Sequence, residues 1–201
     1  MLEASGLACE RGGRRLFAGL AFTLARGASL RVAGPNGSGK TSLLRILCGL
    51  AAPSEGEVRW HGAPIRRLAE EYSRELVYIG HASALKDELT PRENLEIVCR
   101  LAGAPARGEA LDRALGALAV PDLPTRKLSQ GQRRRAALAR LVACEALPLW
   151  LLDEPFAALD ASAARQVEEL MAQHLRSGGC LVYTTHQPSA LDAAAGVVEL
   201  G

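Results

Sequence analysis

An eight-residue glycine-rich segment between a predicted strand and a predicted helix constrains the fold of this chain more than any other feature. The strand is predicted over residues 29–34 and the helix over residues 41–50, where leucines recur at helical spacing. The segment fits the pattern G-x-x-x-x-G-K-[ST] and comprises Gly34, Pro35, Asn36, Gly37, Ser38, Gly39, Lys40 and Thr41. Because such a loop needs a strand before it and a helix after it, the pattern predicts a βα unit in an α/β fold.

The residue types in this loop suit a nucleoside triphosphate. Glycine permits backbone conformations and close approaches that a Cβ atom would prevent, and successive N–H groups at a helix start form a nest for phosphate oxygens. Lys40 is expected to reach the β- and γ-phosphates of ATP, and the Thr41 hydroxyl is expected to ligate Mg²⁺. The alternative, a glycine-rich turn with an incidental lysine, leaves the complete motif and its flanking elements unexplained.

Length, composition and charge restrict the class of protein. The 201 residues suffice for one substantial core, so we expect a single domain over residues 1–201. A formal net charge of +2 gives no reason to expect nucleic acid as a partner. The stretch 142–152 contains Glu145 and Pro148 and is too short to span a membrane. The first residues lack a secretory pattern, so the expected location is the cytosol.

The cysteines and histidines show no spacing typical of a metal site. No C-x-x-C pair is present, and the histidines do not cluster. We therefore predict buried free thiols, without disulfides, structural zinc or covalently attached haem. His61 and His174 are interpreted as ordinary surface or partly buried residues.

Short apolar segments alternate with helical patterns along the chain. Further strands are predicted over residues 57–61, 76–79, 149–153, 180–185 and 197–200. The region from residue 91 to about residue 146 is mostly helical, with breaks at 103–105 and 121–124. This alternation predicts a largely parallel sheet, with an inserted helical subdomain of roughly residues 87–146.

Two further segments resemble motifs of the ATP-binding-cassette (ABC) ATPases. Residues 149–154, Leu-Trp-Leu-Leu-Asp-Glu, resemble a Walker B strand followed by the additional acid of that family. Residues 128–132, Leu-Ser-Gln-Gly-Gln, are a variant of the LSGGQ signature. The motifs stand in the family's order from about residue 7 to residue 200. The resemblance implies a P-loop NTPase domain with a RecA-like core, a small β part and an inserted helical subdomain.

The resemblance assigns roles to three residues at or just after the ends of predicted strands. Asp153 suits a Mg²⁺ ligand, directly or through water, and Glu154 suits the base that polarises the attacking water. His186 stands where the family places the histidine that contacts the γ-phosphate. Taken alone, the same residues also fit a strand that ends in solvated acids and a structural histidine.

The signature implies a second copy of the chain. A serine hydroxyl and free N–H groups at a helix start form an anion site, predicted here at Ser129, Gly131 and Gln132 before a helix over residues 132–146. In ABC ATPases this site faces the ATP of the opposite subunit, so the resemblance implies a dimer that closes on ATP. Residues 158–160 match the D-loop, which the family uses for communication between subunits. We interpret the three arginines at 133–135 as a solvated, ion-paired face rather than a nucleic-acid patch.

Two positions depart from the general cassette pattern. Where a Q-loop glutamine is expected, the chain has Gly80 followed by His81, and a histidine can donate to water near Mg²⁺ although it titrates near neutral pH. Where an aromatic residue usually stacks on adenine, the sequence has Arg11, whose guanidinium plane can also stack on a base. His81 is therefore a candidate catalytic residue, and Arg11 is a candidate nucleotide-binding residue.

Longer segments resemble one group within the family. The sequences YIGHASALKDELTPRENL, LSQGQRRRAALARL, WLLDEPFAALD and TTHQ are similar to the ATP-binding subunits of cytochrome c maturation systems, the haem exporter ATPases. The resemblance implies a peripheral ATPase on the cytoplasmic face of a bacterial inner membrane, paired with integral membrane permease subunits. Haem would be a partner's cargo, because the chain shows no haem-ligand motif. Residues 81–89 are predicted to dock the permease.

Other functions remain open from the sequence. Another ABC exporter would use the same motifs. A soluble ABC ATPase of the DNA-repair or chromosome-structure type would carry long coiled-coil heptads, whereas the segment between the phosphate loop and the signature is short and broken by proline and glycine. A P-loop phosphotransferase would use Lys40 and Thr41 but would leave the signature, the D-loop and Glu154 without a role.

Overall fold

Strands and helices alternate along most of the chain, as the sequence predicts. The computed structural model describes residues 1–104, 108–187 and 189–201, so the predicted break at 103–105 lies partly outside the described residues. The strands are β1 (Leu2–Arg11), β2 (Arg14–Leu24), β3 (Ser29–Ala33), β4 (Glu55–Trp60), β5 (Ala63–Pro64), β6 (Leu76–Ile79), β7 (Leu149–Asp153), β8 (Cys180–Thr184) and β9 (Gly196–Glu199). The α-helices are α1 (Lys40–Leu47), α2 (Ala69–Ser73), α3 (Pro91–Leu101), α4 (Gly108–Ala117), α5 (Gln130–Ala143) and α6 (Ala161–Arg176). Short 3₁₀ helices span Ile65–Arg67, Thr125–Lys127 and Ala190–Ala193.

Five strands form a parallel sheet in the order β6-β7-β8-β3-β9. The predicted strands at 76–79 and 149–153 are confirmed, and the other predicted strands differ by one or two residues at their ends. β7 and β8 are buried along their whole length because both faces of the sheet are covered, as is usual for parallel strands. The predicted α/β fold with a largely parallel sheet is confirmed.

A second, antiparallel sheet has the order β2-β1-β4-β5. The sequence analysis identified only β4 of this sheet, although the family resemblance implied a small β part. β1 and β2 were missed because irregular pairing, with register shifts between Ala4 and Leu7 and between Leu7 and Cys9, disturbs the alternation of apolar residues. Close packing is visible at Gly56, where a Cβ atom would lie 2.3 Å from the Ser5 carbonyl oxygen.

The parallel sheet separates two hydrophobic clusters and contributes alternate side chains to each. Leu149 and Leu151 of β7 belong to the cluster shared with the antiparallel sheet and α1. Trp150 and Leu152 belong to the cluster shared with α3, α4, α5 and α6. Alternation of this kind follows from the two-residue period of a strand. The three helices α3, α4 and α5 fall within the region from residue 91 to about residue 146 that was predicted to be mostly helical.

The cysteines are all free thiols, four of them buried and Cys48 partly exposed. The interpretation of His174 as an ordinary surface or partly buried residue is wrong. Its side chain is buried, and its ring stacks on Trp150 at a centroid distance of 3.9 Å with an interplanar angle of 7°. Among the described residues, no helix combines the length and the apolar composition needed to cross a bilayer.

Candidate active site

A cavity of about 510 Å³ opens where the carboxyl ends of β3, β7 and β8 meet. This edge is where ligands bind in parallel α/β sheets. The residues that line the cavity are Leu16, Asn36, Gly37, Gly39, Lys40, Thr41, Ser42, His81, Asp153, Glu154, Ala157 and His186. A somewhat larger cavity of about 590 Å³ beside α1 and β4 has a mainly apolar lining and lacks such a group of acids and histidines.

The glycine-rich loop connects β3 to α1 as a phosphate cradle requires. Gly39 precedes the helix with φ of 105°, and no side chain caps the first N–H groups of α1. Gly34 admits no larger residue, since a Cβ atom there would lie 2.2 Å from the Leu200 carbonyl oxygen. The Lys40 ammonium donates to the carbonyl oxygens of Gly34 at 2.7 Å and Pro35 at 3.1 Å. The buried Ser38 hydroxyl has no hydrogen-bond partner among the residues that the structure describes, which leaves it available to a ligand oxygen.

The carboxylate of Asp153 lies at the centre of a network of hydroxyl groups. It accepts hydrogen bonds from Thr41 Oγ1 at 2.7 Å and from Thr184 Oγ1 at 2.9 Å, and the residue is almost fully buried. Strand register explains this meeting, because Thr184 of β8 pairs with Asp153 of β7 on one side and with Val32 of β3 on the other. The oxygen donors of Thr41 and Asp153 suit a hard divalent cation.

Glu154 directs its carboxylate into the cavity from an unusual backbone conformation. Its φ is +50°, in the left-handed region that disfavours residues other than glycine. Its N–H donates to Thr184 Oγ1 at 2.8 Å, and its Oε2 accepts from the His186 N–H at 3.3 Å. The other oxygen, Oε1, is buried and lies 3.5 Å from His186 Nε2, and it forms no hydrogen bond within the described part of the chain. An oxygen in this state is suited to accept a proton from a ligand water.

The two departures from the cassette pattern occupy different places in the structure. His81 is exposed and lines the cavity together with Lys40 and Glu154. Arg11 lies at the exposed end of β1, paired with Arg14, and does not belong to the cavity lining. Leu16 of β2 does line the cavity. Sequence reasoning missed Leu16 because β2 was not identified as a strand.

The three signature residues lie at the start of α5, outside the cavity lining. The exposed Ser129 is the N-cap, and its hydroxyl accepts from the Gln132 N–H at 3.2 Å while Gln132 Oε1 accepts from the Ser129 N–H at 2.8 Å. This capping box starts the helix at Gln130, two residues before the predicted start. A Cβ atom on Gly131 would lie 2.7 Å from the Ala158 carbonyl oxygen, so the D-loop packs directly on the signature.

The interpretation of the arginine run as a solvated face is wrong for Arg134. Its side chain is buried, and its guanidinium donates to the carbonyl oxygens of Gly80, Asp153 and Glu154. Burial lowers the pKa of Arg134, while the negative charges of Asp153 and Glu154 oppose that effect. The sequence did contain a signal for this burial. Arg134 lies four residues before the apolar Leu138, and residues four apart share one face of a helix, so the Arg134 side chain should point toward the core.

Comparison with known proteins relates the chain to transporter ATPases. The family model described as "ABC transporter" matches residues 17–157. The chain is 50% identical over its full length to the cytochrome c biogenesis ATP-binding export protein CcmA of Aromatoleum aromaticum, of which 95% is covered. Identity to the protein of the same name from Nitrosospira multiformis is 49%, over 96% of this chain and 95% of the relative. A solved dimeric bacterial ABC transporter cassette is 25% identical with a TM-score of 0.80, covering 100% of this chain and 94% of the cassette.

Proposed function

This chain belongs to the ABC transporter family and, within it, to the cytochrome c biogenesis ATP-binding export proteins, and we propose that it drives haem export in cytochrome c biogenesis. As a member of this family it binds and hydrolyses ATP. The energy of hydrolysis would move haem, or release a haem-loaded chaperone, through integral membrane subunits. The name shared by relatives that match nearly the whole chain supports this assignment.

The placement of Glu154 is the observation that carries the proposed chemistry. A buried carboxylate oxygen without a hydrogen bond lies in the same cavity as the phosphate loop. ATP would draw the Lys40 ammonium from the carbonyl oxygens that it now contacts to the β- and γ-phosphates. Glu154 would then orient a water for in-line attack on the γ-phosphorus and accept its proton. His186 would bind the γ-phosphate, and His81 would donate to the water; both histidines line the cavity.

Mg²⁺ is the proposed metal, with the Thr41 hydroxyl and Asp153 carboxylate as its protein contacts. The described part of the chain contains no cluster of three or more His, Cys, Asp or Glu residues that would hold a metal by itself. That suits Mg²⁺, which proteins commonly bind through one or two oxygen ligands together with substrate phosphates. When bound, the ion neutralises charge on the transferred phosphoryl group.

A second copy of the chain is the proposed partner in hydrolysis. Ser129, Gly131 and Gln132 lie outside their own subunit's cavity, so a contribution to ATP requires another subunit. Ser129 accepts a hydrogen bond through its oxygen, and its own O–H proton remains available to a phosphate. The solved bacterial cassette that resembles this chain is itself a dimer. Arg11 stays a candidate for adenine contact, either in a closed dimer or after movement of the β1–β2 turn.

Membrane permease subunits are the proposed second class of partner, at the cytoplasmic face of the inner membrane. Residues 81–89 carry exposed charged side chains beside a small hollow of about 70 Å³, to which Ala82, Ala84 and Leu85 contribute. The loop backbone is held in place, because the Lys86 N–H donates to Asn94 Oδ1 at 2.8 Å and the Asn94 amide donates back to the Lys86 carbonyl at 3.0 Å. A fixed, mixed apolar and charged loop suits docking of a short helix.

Complementation tests this function. In a bacterium lacking its own ATP-binding subunit for cytochrome c biogenesis, expression of this chain should restore covalent haem attachment to c-type cytochromes, measured by haem staining of gels. The Glu154→Gln variant should be expressed equally and should restore none. Failure of the wild-type chain, expressed together with its natural permease genes, would favour a different ABC exporter.

A further inference from the structure

Arg134 connects the signature helix to the acids of its own subunit. It lies on α5, is 3% exposed, and donates three hydrogen bonds of 2.8 Å to the carbonyl oxygens of Gly80, Asp153 and Glu154. We propose that Arg134 is a positioning residue that holds Glu154 in its left-handed conformation and ties it to the loop that begins with His81. This inference rests on the proposed role of Glu154 in hydrolysis.

The hydrogen bonds of Arg134 hold the peptide groups on both sides of the Glu154 Cα atom. A single nitrogen, Arg134 Nη2, donates to the carbonyl oxygens before and after the Glu154 Cα atom. Two oxygens that share one donor must stay close to each other, which restricts φ and ψ at Glu154. On the other side, the Glu154 N–H donates to Thr184 Oγ1 at 2.8 Å. The peptide between Asp153 and Glu154 is therefore held at its oxygen and at its nitrogen.

Glu154 needs such support because its conformation is unfavourable. A non-glycine residue with φ of +50° is strained, and the following Pro155 further restricts Glu154 toward extended geometry. Strained residues persist only where the surroundings over-determine them. Without Arg134, relaxation toward an extended conformation would turn the carboxylate away from the cavity while leaving the phosphate loop intact.

The chemistry of the guanidinium explains why arginine occupies this position. Its planar fork reaches the end of β6 through Nη1 and the end of β7 through Nη2. A lysine carries one compact ammonium and cannot span both strand ends in the same way. Burial of a cation is costly unless it is hydrogen-bonded and faces negative charge, and here the partners are backbone carbonyl oxygens near two acids. Because burying the Arg134 cation costs free energy that an apolar side chain would not, its presence here suits a role in positioning Glu154.

The same helix begins at Ser129, the residue proposed to contact the ATP of the second subunit. A displacement of α5 during nucleotide-dependent closing would reach Glu154 through Arg134, because the hydrogen bonds join the helix directly to the backbone of the acid. The positioning role therefore predicts a defect in hydrolysis with nucleotide binding preserved.

Three variants of the full chain test this role by separating ATP affinity from turnover. Arg134→Gln should leave the Kd for ATP within about threefold of wild type and lower kcat by about 30-fold or more. The kcat of Arg134→Lys should lie between the values of wild type and Arg134→Gln. Arg135→Gln is the matched control, since among the described residues the guanidinium of this adjacent arginine hydrogen-bonds only to the Leu118 carbonyl oxygen, at 3.5 Å. Its Kd and kcat should both stay near wild type. A kcat for Arg134→Gln within about threefold of the control would overturn the inference.

Hydrogen exchange measures the support of the Glu154 turn directly. The measurement requires no ATPase activity, and it uses Arg134→Lys, so it stands even if Arg134→Gln does not fold. The Ala157 N–H donates to the Glu154 carbonyl at 3.1 Å, so its protection reports on the supported turn. In Arg134→Lys, peptides covering residues 153–158 should exchange about tenfold faster than in Arg135→Lys, with peptides of β8 unchanged. Unchanged exchange would also overturn the inference. An active Glu154→Gln protein would refute the proposed catalytic role instead, whatever the exchange result.

Discussion

The hydroxyl of Thr41 donates a 2.7 Å hydrogen bond to the carboxylate of Asp153, which lies 112 residues later in the chain. Thr184 is on β8, between β7 and β3, and it donates to the same carboxylate at 2.9 Å. These hydrogen bonds therefore join the start of the helix after the phosphate loop to the end of β7. Such preorganisation limits the rearrangement needed when a ligand binds.

Replacement of Lys40 by alanine should abolish detectable ATP binding. The change removes the ammonium that contacts the loop carbonyls and is expected to move to the phosphates. A loss of at least about 100-fold in affinity, or about 2.7 kcal/mol, is expected by titration calorimetry. Lys127→Ala, at an exposed position outside the cavity lining, is the control and should bind normally. Unchanged affinity in folded Lys40→Ala protein would refute the phosphate-loop assignment.

Replacement of Glu154 by glutamine should separate binding from hydrolysis. The amide keeps the shape of the carboxylate but cannot accept the proton of the attacking water, so turnover should fall by about 100-fold or more. ATP should then stabilise the dimer, which size-exclusion chromatography would detect. Glu169→Gln, an exposed change on α6, serves as control and should leave turnover unaffected. Full activity in a monomeric Glu154→Gln protein would exclude both the catalytic role and the dimer.

Replacement of Ser129 by arginine should block closure without impairing ATP binding to the isolated subunit. Ser129→Ala is the comparison without added bulk or charge. It removes the hydroxyl that caps the helix, at a cost of about 1 kcal/mol in stability, and with it the proposed contact to the second subunit's ATP. Mixed dimers of Ser129→Arg and Lys40→Ala subunits should contain one intact composite site each. They should therefore occlude one nucleotide per dimer and recover little activity. Loss of ATP binding in monomeric Ser129→Arg would argue against a site shared between subunits.

A double change in the docking loop should uncouple the subunit from its permease. Leu85→Asp combined with Lys86→Glu places negative charge on both the apolar and the polar part of the loop. The purified protein should bind ATP as wild type does, because neither residue lines the nucleotide cavity. Cytochrome c maturation in cells should be lost. Arg176→Glu, an exposed charge reversal on α6, should leave maturation intact. Normal maturation with the double variant would exclude this docking site.

The stability of the fold should decrease in mild acid because of His174. Burial lowers the pKa of His174 below its ordinary value of 6.5, so the ring stays neutral in the folded state when an unfolded chain would take up a proton. The contribution of the neutral ring to the free energy of unfolding is fully present above pH 6.5 and is lost as pH falls below that value. The loss is at most about 1.4 kcal/mol for each unit by which the pKa of His174 differs between the folded and the unfolded state. Thermal unfolding between pH 7.5 and about 5 should show this trend. His174→Phe should weaken the dependence, and an identical pH profile in this variant would contradict the assignment.

Sequence reasoning succeeded where a motif defines its own surroundings. Most of the phosphate loop, Asp153, Glu154 and His186 were selected from short patterns and line one cavity in the structure, while their roles in hydrolysis stay a prediction. Burial was predicted wrongly for residues whose surroundings are formed by distant segments of the chain. Arg134 and His174 look like surface residues in the sequence, but both are buried and hydrogen-bonded to backbone carbonyls of neighbouring strands. The strands β1 and β2 were missed because their register shifts blur the local pattern.

Local spacing and buried-strand composition were enough to predict the βα unit of the phosphate loop, the strands 76–79 and 149–153 and the family. Tertiary packing alone brings the hydroxyls of Thr41 and Thr184 to the one carboxylate of Asp153 and places the Arg134 guanidinium against the Glu154 carbonyl oxygen. These contacts depend on the order β7-β8-β3 and on the packing of α5 against the strand ends. Contacts between residues far apart in the chain form only when the whole sheet closes around them, so no local pattern records them.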